Sequence, residues 1–221
     1  MIPGQDAIMT VKMIAVTRRT IRRAMHRIAM LLNQATGGRL SPNSVTIVGV
    51  LMHIPIAILI ATGWYWQAAI LLVIFGLFDT LDGELARLQN RASTQGMLLD
   101  ASTDRMKEVM LYTGVAYVFA TGSHPATAAW AVLACGASLC VSYVKAKGEA
   151  AIASSPNHQK IPHATLNRMF ADGLLPFELR MVLLLIGLLG HVLLPVIVII
   201  AVLASFTAVQ RLVTISAQLS A

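Results

Sequence analysis

Two apolar runs, residues 65–78 and 109–120, bracket a stretch of 26 residues that holds four aspartates: Asp79, Asp82, Asp100 and Asp104. Both runs are apolar enough for membrane spans, so the aspartates sit at the facing ends of two helices joined across residues 88–95. Ionisable groups in such a setting demand a partner or a function.

Spacing says how they meet. Asp79 and Asp82 stand three apart on the incoming helix, and Asp100 and Asp104 four apart on the outgoing one, so each pair shares a helix face. In an antiparallel hairpin centred near Arg91, Asp82 comes level with Asp100 and Asp79 with Asp104. Two rungs of facing carboxylates suit hard cations such as Mg²⁺ or Mn²⁺, which take oxygen ligands; without such charge four carboxylates repel one another. The competing reading is a structural hairpin whose acids pair with Arg87, Arg105 and Lys107.

The stretch fits the pattern D-x2-D-G-x2-A-R-x8-G-x3-D-x3-D at all eight fixed positions: Asp79, Asp82, Gly83, Ala86, Arg87, Gly96, Asp100 and Asp104. It resembles the signature of the CDP-alcohol phosphatidyltransferase family. Simple acid–base pairing does not require Gly83, Ala86 and Gly96 at their places. The resemblance implies attack by an alcohol hydroxyl on the β-phosphorus of a CDP-linked lipid such as CDP-diacylglycerol, with release of CMP. By match to the signature, Asp79, Asp82, Asp100 and Asp104 are the expected ligands of Mg²⁺ or Mn²⁺, as two ions, and Asp104 is also the expected general base. Gly83, Ala86 and Gly96 leave a shallow surface for the CDP-lipid, and Arg87 offers it a bidentate guanidinium.

With 57% hydrophobic and 12% charged residues, the chain is too apolar for an ordinary soluble domain and fits one multi-span membrane domain. The formal charge of +7 does not point to nucleic acid, because the basic residues flank apolar spans instead of forming a soluble basic face. Anionic headgroups and phosphate-bearing substrates are the expected partners. Asp6 and the arginines from Arg18 to Arg27 leave no uninterrupted apolar stretch of the signal-peptide kind.

The predicted fold is all-α: an N-terminal amphipathic interfacial helix in a cytosolic segment, residues 1–40, then a six-span membrane domain, residues 41–221. Basic clusters alternate with apolar residues at helical spacing from Thr10 to Asn33, and Gly37-Gly38 ends that helix. Ser41 and Pro42 start the first span, which runs to Thr62 and carries Pro55 within it; Pro42-Asn43-Ser44-Val45-Thr46 also resembles the family. Span two covers residues 66–87, span three 96–120 and span four 126–144. A polar connection follows, with a loop at Ser154–Asn157 and a short helix over 164–171. Residues 174–215 are twice the length of one span and fold back at Gly190 to Pro195. The turns near Gly63, Thr121–His124 and Gly190–Pro195 contain no Lys, Arg, Asp or Glu, which places both termini and the aspartates on the cytosolic side of the cell membrane. A homodimer is implied by the family alone.

Ser142-Tyr143-Val144-Lys145-Ala146-Lys147-Gly148-Glu149-Ala150 resembles a segment of the family's phosphatidylinositol-phosphate and archaetidylinositol-phosphate synthases. Lys145 and Arg180 are then expected to bind an acceptor that already carries a phosphate, inositol phosphate first. The subgroup's Glu-Arg-Pro-Glu-Arg run is replaced here by Leu175-Pro176-Phe177-Glu178-Leu179-Arg180, which keeps glycerol 3-phosphate as the competing acceptor. A cation transporter is the alternative of another class, but the outer halves of the spans hold no continuous relay of ionisable groups. Cys135 and Cys140 read as packing residues and His53 as a hydrogen-bonded structural histidine, whereas His158 and His163 carry no assignment.

Overall fold

The computed structural model describes residues 5–154 and 175–219, and every regular element among them is a helix. In chain order these are α1 (Gln5–Ala35), α2 (Pro42–Ala61), α3 (Tyr65–Gly76), α4 (Phe78–Leu88), α5 (Thr94–Thr121), a 3₁₀ turn (Pro125–Thr127), α6 (Ala128–Ala153), α7 (Phe177–Leu189) and α8 (Leu193–Leu219). The expected loop at residues 155–157, the helix over 164–171, and His158 and His163 lie outside the described residues.

Most boundaries follow local chemistry. α1 ends where Gly37 and Gly38 adopt positive φ (56° and 73°), and the Gly38 N–H caps the Asn33 carbonyl at 2.9 Å. Pro42 opens α2, where its missing N–H costs nothing. The last fold-back turns at Gly190–Val192, with His191 at φ 55°.

Two expectations need correction. The second apolar run is not one helix: it breaks after Gly76, where the Leu77 N–H reaches Ile74 at 3.3 Å and the Thr80 N–H reaches Leu77 at 3.1 Å. Both bonds have the three-residue spacing of a tightened turn. Gly76 supplies no side chain to hold that turn α-helical. α6 also runs nine residues past Val144, so Lys147 and Glu149, expected in the polar connection, lie on the helix with Lys145.

The described residues form two compact units, one of Met1–His53 and Leu71–Met106, the other of Ile54–Ile70 and Lys107–Ala221. In the first, Met25 and Ala29 of α1 pack against Val45 of α2 and Leu81 and Leu85 of α4. This small core fixes α4, whose other residues carry the first two aspartates. In the second unit α8 packs along α6 and against α7.

α2, the segment Pro125–Ala153 and α8 to Ala217 are long and apolar enough to cross a membrane. Much of their apolar surface points outward: Ile47, Leu51 and Ile58 of α2, Val132 and Leu133 of α6, and Val202, Phe206, Val209 and Val213 of α8 are all exposed. Apolar surface on that scale calls for a lipid or protein cover.

Gly114 marks a backbone contact. A Cβ there would stand 2.5 Å from the Ala57 carbonyl oxygen, and a backbone atom has little freedom to retreat. Gly114→Ala is expected to destabilise the protein by about 1–3 kcal/mol. Thermal unfolding in detergent reads this directly, and an unchanged midpoint would refute the close approach of α2 and α5.

Candidate functional site

α4 and the start of α5 bring three of the four aspartates together. One carboxylate oxygen from each of Asp79, Asp82 and Asp100 lies within 4.8 Å of the other two. Asp82 is buried, Asp79 half-buried and Asp100 exposed, so the group runs from the interior out to solvent. Asp104 is not part of this trio; it is mostly buried, with Arg105 Nη2 at 3.6 Å from its Oδ2.

The donor set fits a hard divalent cation. All three groups are carboxylates, with neither imidazole nor thiolate among them, which suits Mg²⁺ or Mn²⁺ over zinc or copper. Three negative charges within such a distance also repel one another, by about 3 kcal/mol per pair at an effective dielectric of roughly 20. A bound cation would turn that repulsion into attraction.

Arg87 does not serve as the neutralising partner of this trio. Its Nη2 donates to Glu84 Oε1 at 2.6 Å, and Arg22 Nε donates to the same oxygen at 2.7 Å; His26 Nδ1 is 3.0 Å from Oε2. Glu84, 4% exposed, thus ties α1 to α4. Sequence reading passed over it as a variable position of the signature, although Glu84 and Arg87 have the spacing of an in-helix ion pair.

Thr46 is the second residue that emerges only in three dimensions. Its hydroxyl donates to Asp82 Oδ2, both residues being buried. Asn43, one turn earlier, places its Oδ1 4.0 Å from where a Gly96 Cβ would stand. The Pro42–Thr46 segment thus reaches Asp82 through Thr46 and the Gly96 position through Asn43.

Gly83 and Gly96 are not explained by packing. A Cβ at Gly83 would meet only the Arg87 guanidinium, at 3.5 Å or more, and one at Gly96 would meet Ser93 Oγ at 3.4 Å. Both are ordinary contacts, unlike the collision at Gly114. Gly83→Ala is expected to leave the unfolding midpoint unchanged or raise it, since alanine is the better helix former by about 1 kcal/mol. If Gly83 borders the CDP-lipid, as the family resemblance implies, binding of CDP-diacylglycerol should weaken all the same. A fall in stability with binding intact would return Gly83 to a packing role.

The two expected acceptor cations have different partners. Arg180, 1% exposed, donates from Nε to Glu108 Oε1 at 2.8 Å and from Nη1 to the Leu175 carbonyl at 2.9 Å. Lys145 is about half exposed, with its Nζ 3.9 Å from Glu149 one turn on. Arg211, unremarked in an apolar run, is buried in α8 and donates to the Val141 carbonyl at 3.3 Å. A charge inside so apolar a helix was the available signal. His53 is buried with Nδ1 2.7 Å from the Gly49 carbonyl, as a structural histidine should be, and both cysteines are free thiols.

The family model for CDP-alcohol phosphatidyltransferases matches residues 39–206. The chain belongs to this family. The phosphatidylinositol phosphate synthase of Cutibacterium acnes is 35% identical over 113 residues, which cover 49% of this chain and 54% of the relative. The alignment thus spans about half the length of that curated relative. Crystal structures of the Mycobacterium tuberculosis phosphatidylinositol phosphate synthase cover more. The one with CDP-DAG bound superposes with a TM-score of 0.73 at 25% identity over 87% of this chain and 94% of that one. The complex with manganese and citrate gives 0.72 over 87% and 88%.

Proposed function

We propose that the chain transfers a phosphatidyl group from CDP-diacylglycerol to a hydroxyl of a phosphorylated polyol, inositol phosphate, and releases CMP. The observation that carries this reading is the convergence of Asp79, Asp82 and Asp100 at their places in the family signature. The names of the similar proteins, phosphatidylinositol phosphate synthases throughout those described above, favour inositol phosphate over glycerol 3-phosphate.

In this reading Asp79, Asp82 and Asp100 hold divalent cations, with Asp104 at their margin. Such cations, when bound, neutralise the donor pyrophosphate and ease departure of CMP. Thr46 fixes one oxygen of Asp82 by donating its hydroxyl to it. Asp104 accepts the proton of the attacking hydroxyl as its oxygen bonds to the β-phosphorus; the bond from that phosphorus to CMP breaks, and CMP leaves with the electron pair. The bareness of Gly83 and Gly96, beside Ala86, lets the donor approach the helix backbone, and Arg87 stands at the edge of that surface. Lys145 supplies an accessible positive charge for the acceptor phosphate, and Arg180 a second one, held in place by Glu108.

We further place residues 41–221 in the cell membrane as six spans, with α3 and α4 together making the second. Residues 1–40 lie along the cytosolic face, both termini are cytosolic, and the enzyme is a homodimer. The exposed Ile21, Ile28 and Leu31 of α1 support contact with lipid.

The test is incubation of the purified enzyme with CDP-diacylglycerol, Mg²⁺ or Mn²⁺, and a panel of free and phosphorylated polyols, with the lipid product identified by mass. A product only with inositol phosphate is expected. Product with glycerol 3-phosphate alone would reassign the acceptor, and metal-dependent cation flux in sealed vesicles without CMP release would overturn the enzyme reading.

A further inference from the structure

A second charged site lies on the side of α4 away from the aspartates. Glu84 follows Asp82 by two residues, about 200° around the helix, so the two side chains leave it in nearly opposite directions. Against the Glu84 side stands one stripe of α1: Arg19, Arg22, Arg23, His26 and Arg27, spaced at three and four residues. These, with Met30, Arg87 and Leu88, line a cleft of about 660 Å³. Its volume lies in the range of small-ligand clefts, and it is open to solvent.

The charge in this cleft is unbalanced. Five arginines surround one glutamate, an excess of four positive charges before His26 is counted. Glu84 at the floor engages Arg22 and Arg87 and so holds two guanidinium groups in fixed positions. Among the described residues no ion pair is recorded for Arg19, Arg23 or Arg27, whose side chains complete the wall. So many like charges around one concave space make a positive potential there, and an entering anion is attracted to it. A guanidinium fork matches a phosphate's oxygens, and several forks converging on one cleft select a phosphate over a simple halide.

We propose that the cleft between α1 and α4 is a binding site for a phosphate group, separate from the aspartate site and reached without metal. The phosphate comes from an anionic lipid headgroup or from a soluble phosphate, and the two sources give different results below. Because Glu84 joins both helices, occupancy of the cleft stiffens the connection between α1 and the helix that carries Asp79 and Asp82.

The experiment uses the full chain with EDTA present, so that the aspartates hold no metal. One arm follows thermal unfolding in neutral detergent with inorganic phosphate against chloride at matched ionic strength. The other follows unfolding in phosphatidylcholine nanodiscs with and without phosphatidic acid. The wild type is expected to be stabilised in at least one arm. Stabilisation by inorganic phosphate identifies a soluble ligand, and stabilisation by phosphatidic acid alone identifies a headgroup. The double variant Arg23→Gln/Arg27→Gln, which leaves the Glu84 contacts in place, should need about tenfold more of the effective anion, the equivalent of roughly 1.4 kcal/mol. Arg39→Gln/Arg91→Gln removes the same charge elsewhere and should respond as wild type. No stabilisation in either arm, an unchanged response in Arg23→Gln/Arg27→Gln, or an equal loss in Arg39→Gln/Arg91→Gln overturns the proposal.

Discussion

Asp104→Asn is expected to lower turnover by about 10²–10⁴-fold, the usual contribution of a general base, while CDP-diacylglycerol still binds in a metal-dependent way. Asp82→Asn is expected to fail differently, losing metal and donor binding together and regaining part of its activity at higher metal concentration. The geometry motivates the contrast. Asp82 belongs to the group of three carboxylates and takes a hydrogen bond from Thr46, whereas Asp104 lies outside that group, beside Arg105. Asparagine keeps the shape of aspartate and an oxygen for coordination but removes the basicity, so only a residue that accepts a proton should suffer in turnover alone. Isothermal titration with Mn²⁺ and single-turnover kinetics separate the two outcomes. If Asp104→Asn responds to added metal as strongly as Asp82→Asn, Asp104 is a ligand and the proton goes elsewhere.

The aspartate site was legible because its information is local. Eight residues at fixed spacing on two sequence-adjacent helices specify which side chains share a face, and three of the four carboxylates do converge. Helix limits were legible where glycine or proline punctuates a polar stretch, as at Gly37-Gly38 and Pro42, and less so at Leu77, where Gly76 sits inside an apolar run that reads as one continuous span. What the sequence did not disclose is long-range. Glu84 meets Arg22 across 62 positions, Asp82 meets Thr46 across 36, and Glu108 meets Arg180 across 72. No periodicity encodes such pairs. Each acid or base looks alike in a one-dimensional reading, whether it will bind a ligand or a neighbour.

Arg180 puts that ambiguity to its sharpest test, because the sequence offers it to the acceptor phosphate while the structure pairs it with Glu108. Both side chains are 1% exposed or less, and the guanidinium also bonds the Leu175 carbonyl and lies 5.9 Å from the centre of the Phe177 ring. Removing one member of a buried ion pair leaves the other charge stranded at a cost of about 3–5 kcal/mol, so Arg180→Gln is expected to lower the unfolding midpoint sharply. Replacing both, as in Arg180→Met/Glu108→Leu, removes the stranded charge and should recover most of that stability, since an apolar pair often matches a buried ion pair. Activity then decides the role. If Arg180 binds the acceptor, the stable double variant keeps its KM for CDP-diacylglycerol but shows a KM for inositol phosphate raised by a lost charge-assisted contact, roughly tenfold or more. If both KM values return to those of the wild type, Arg180 belongs to the scaffold, and the acceptor phosphate is left to Lys145 and to Arg211, another buried arginine of the same unit.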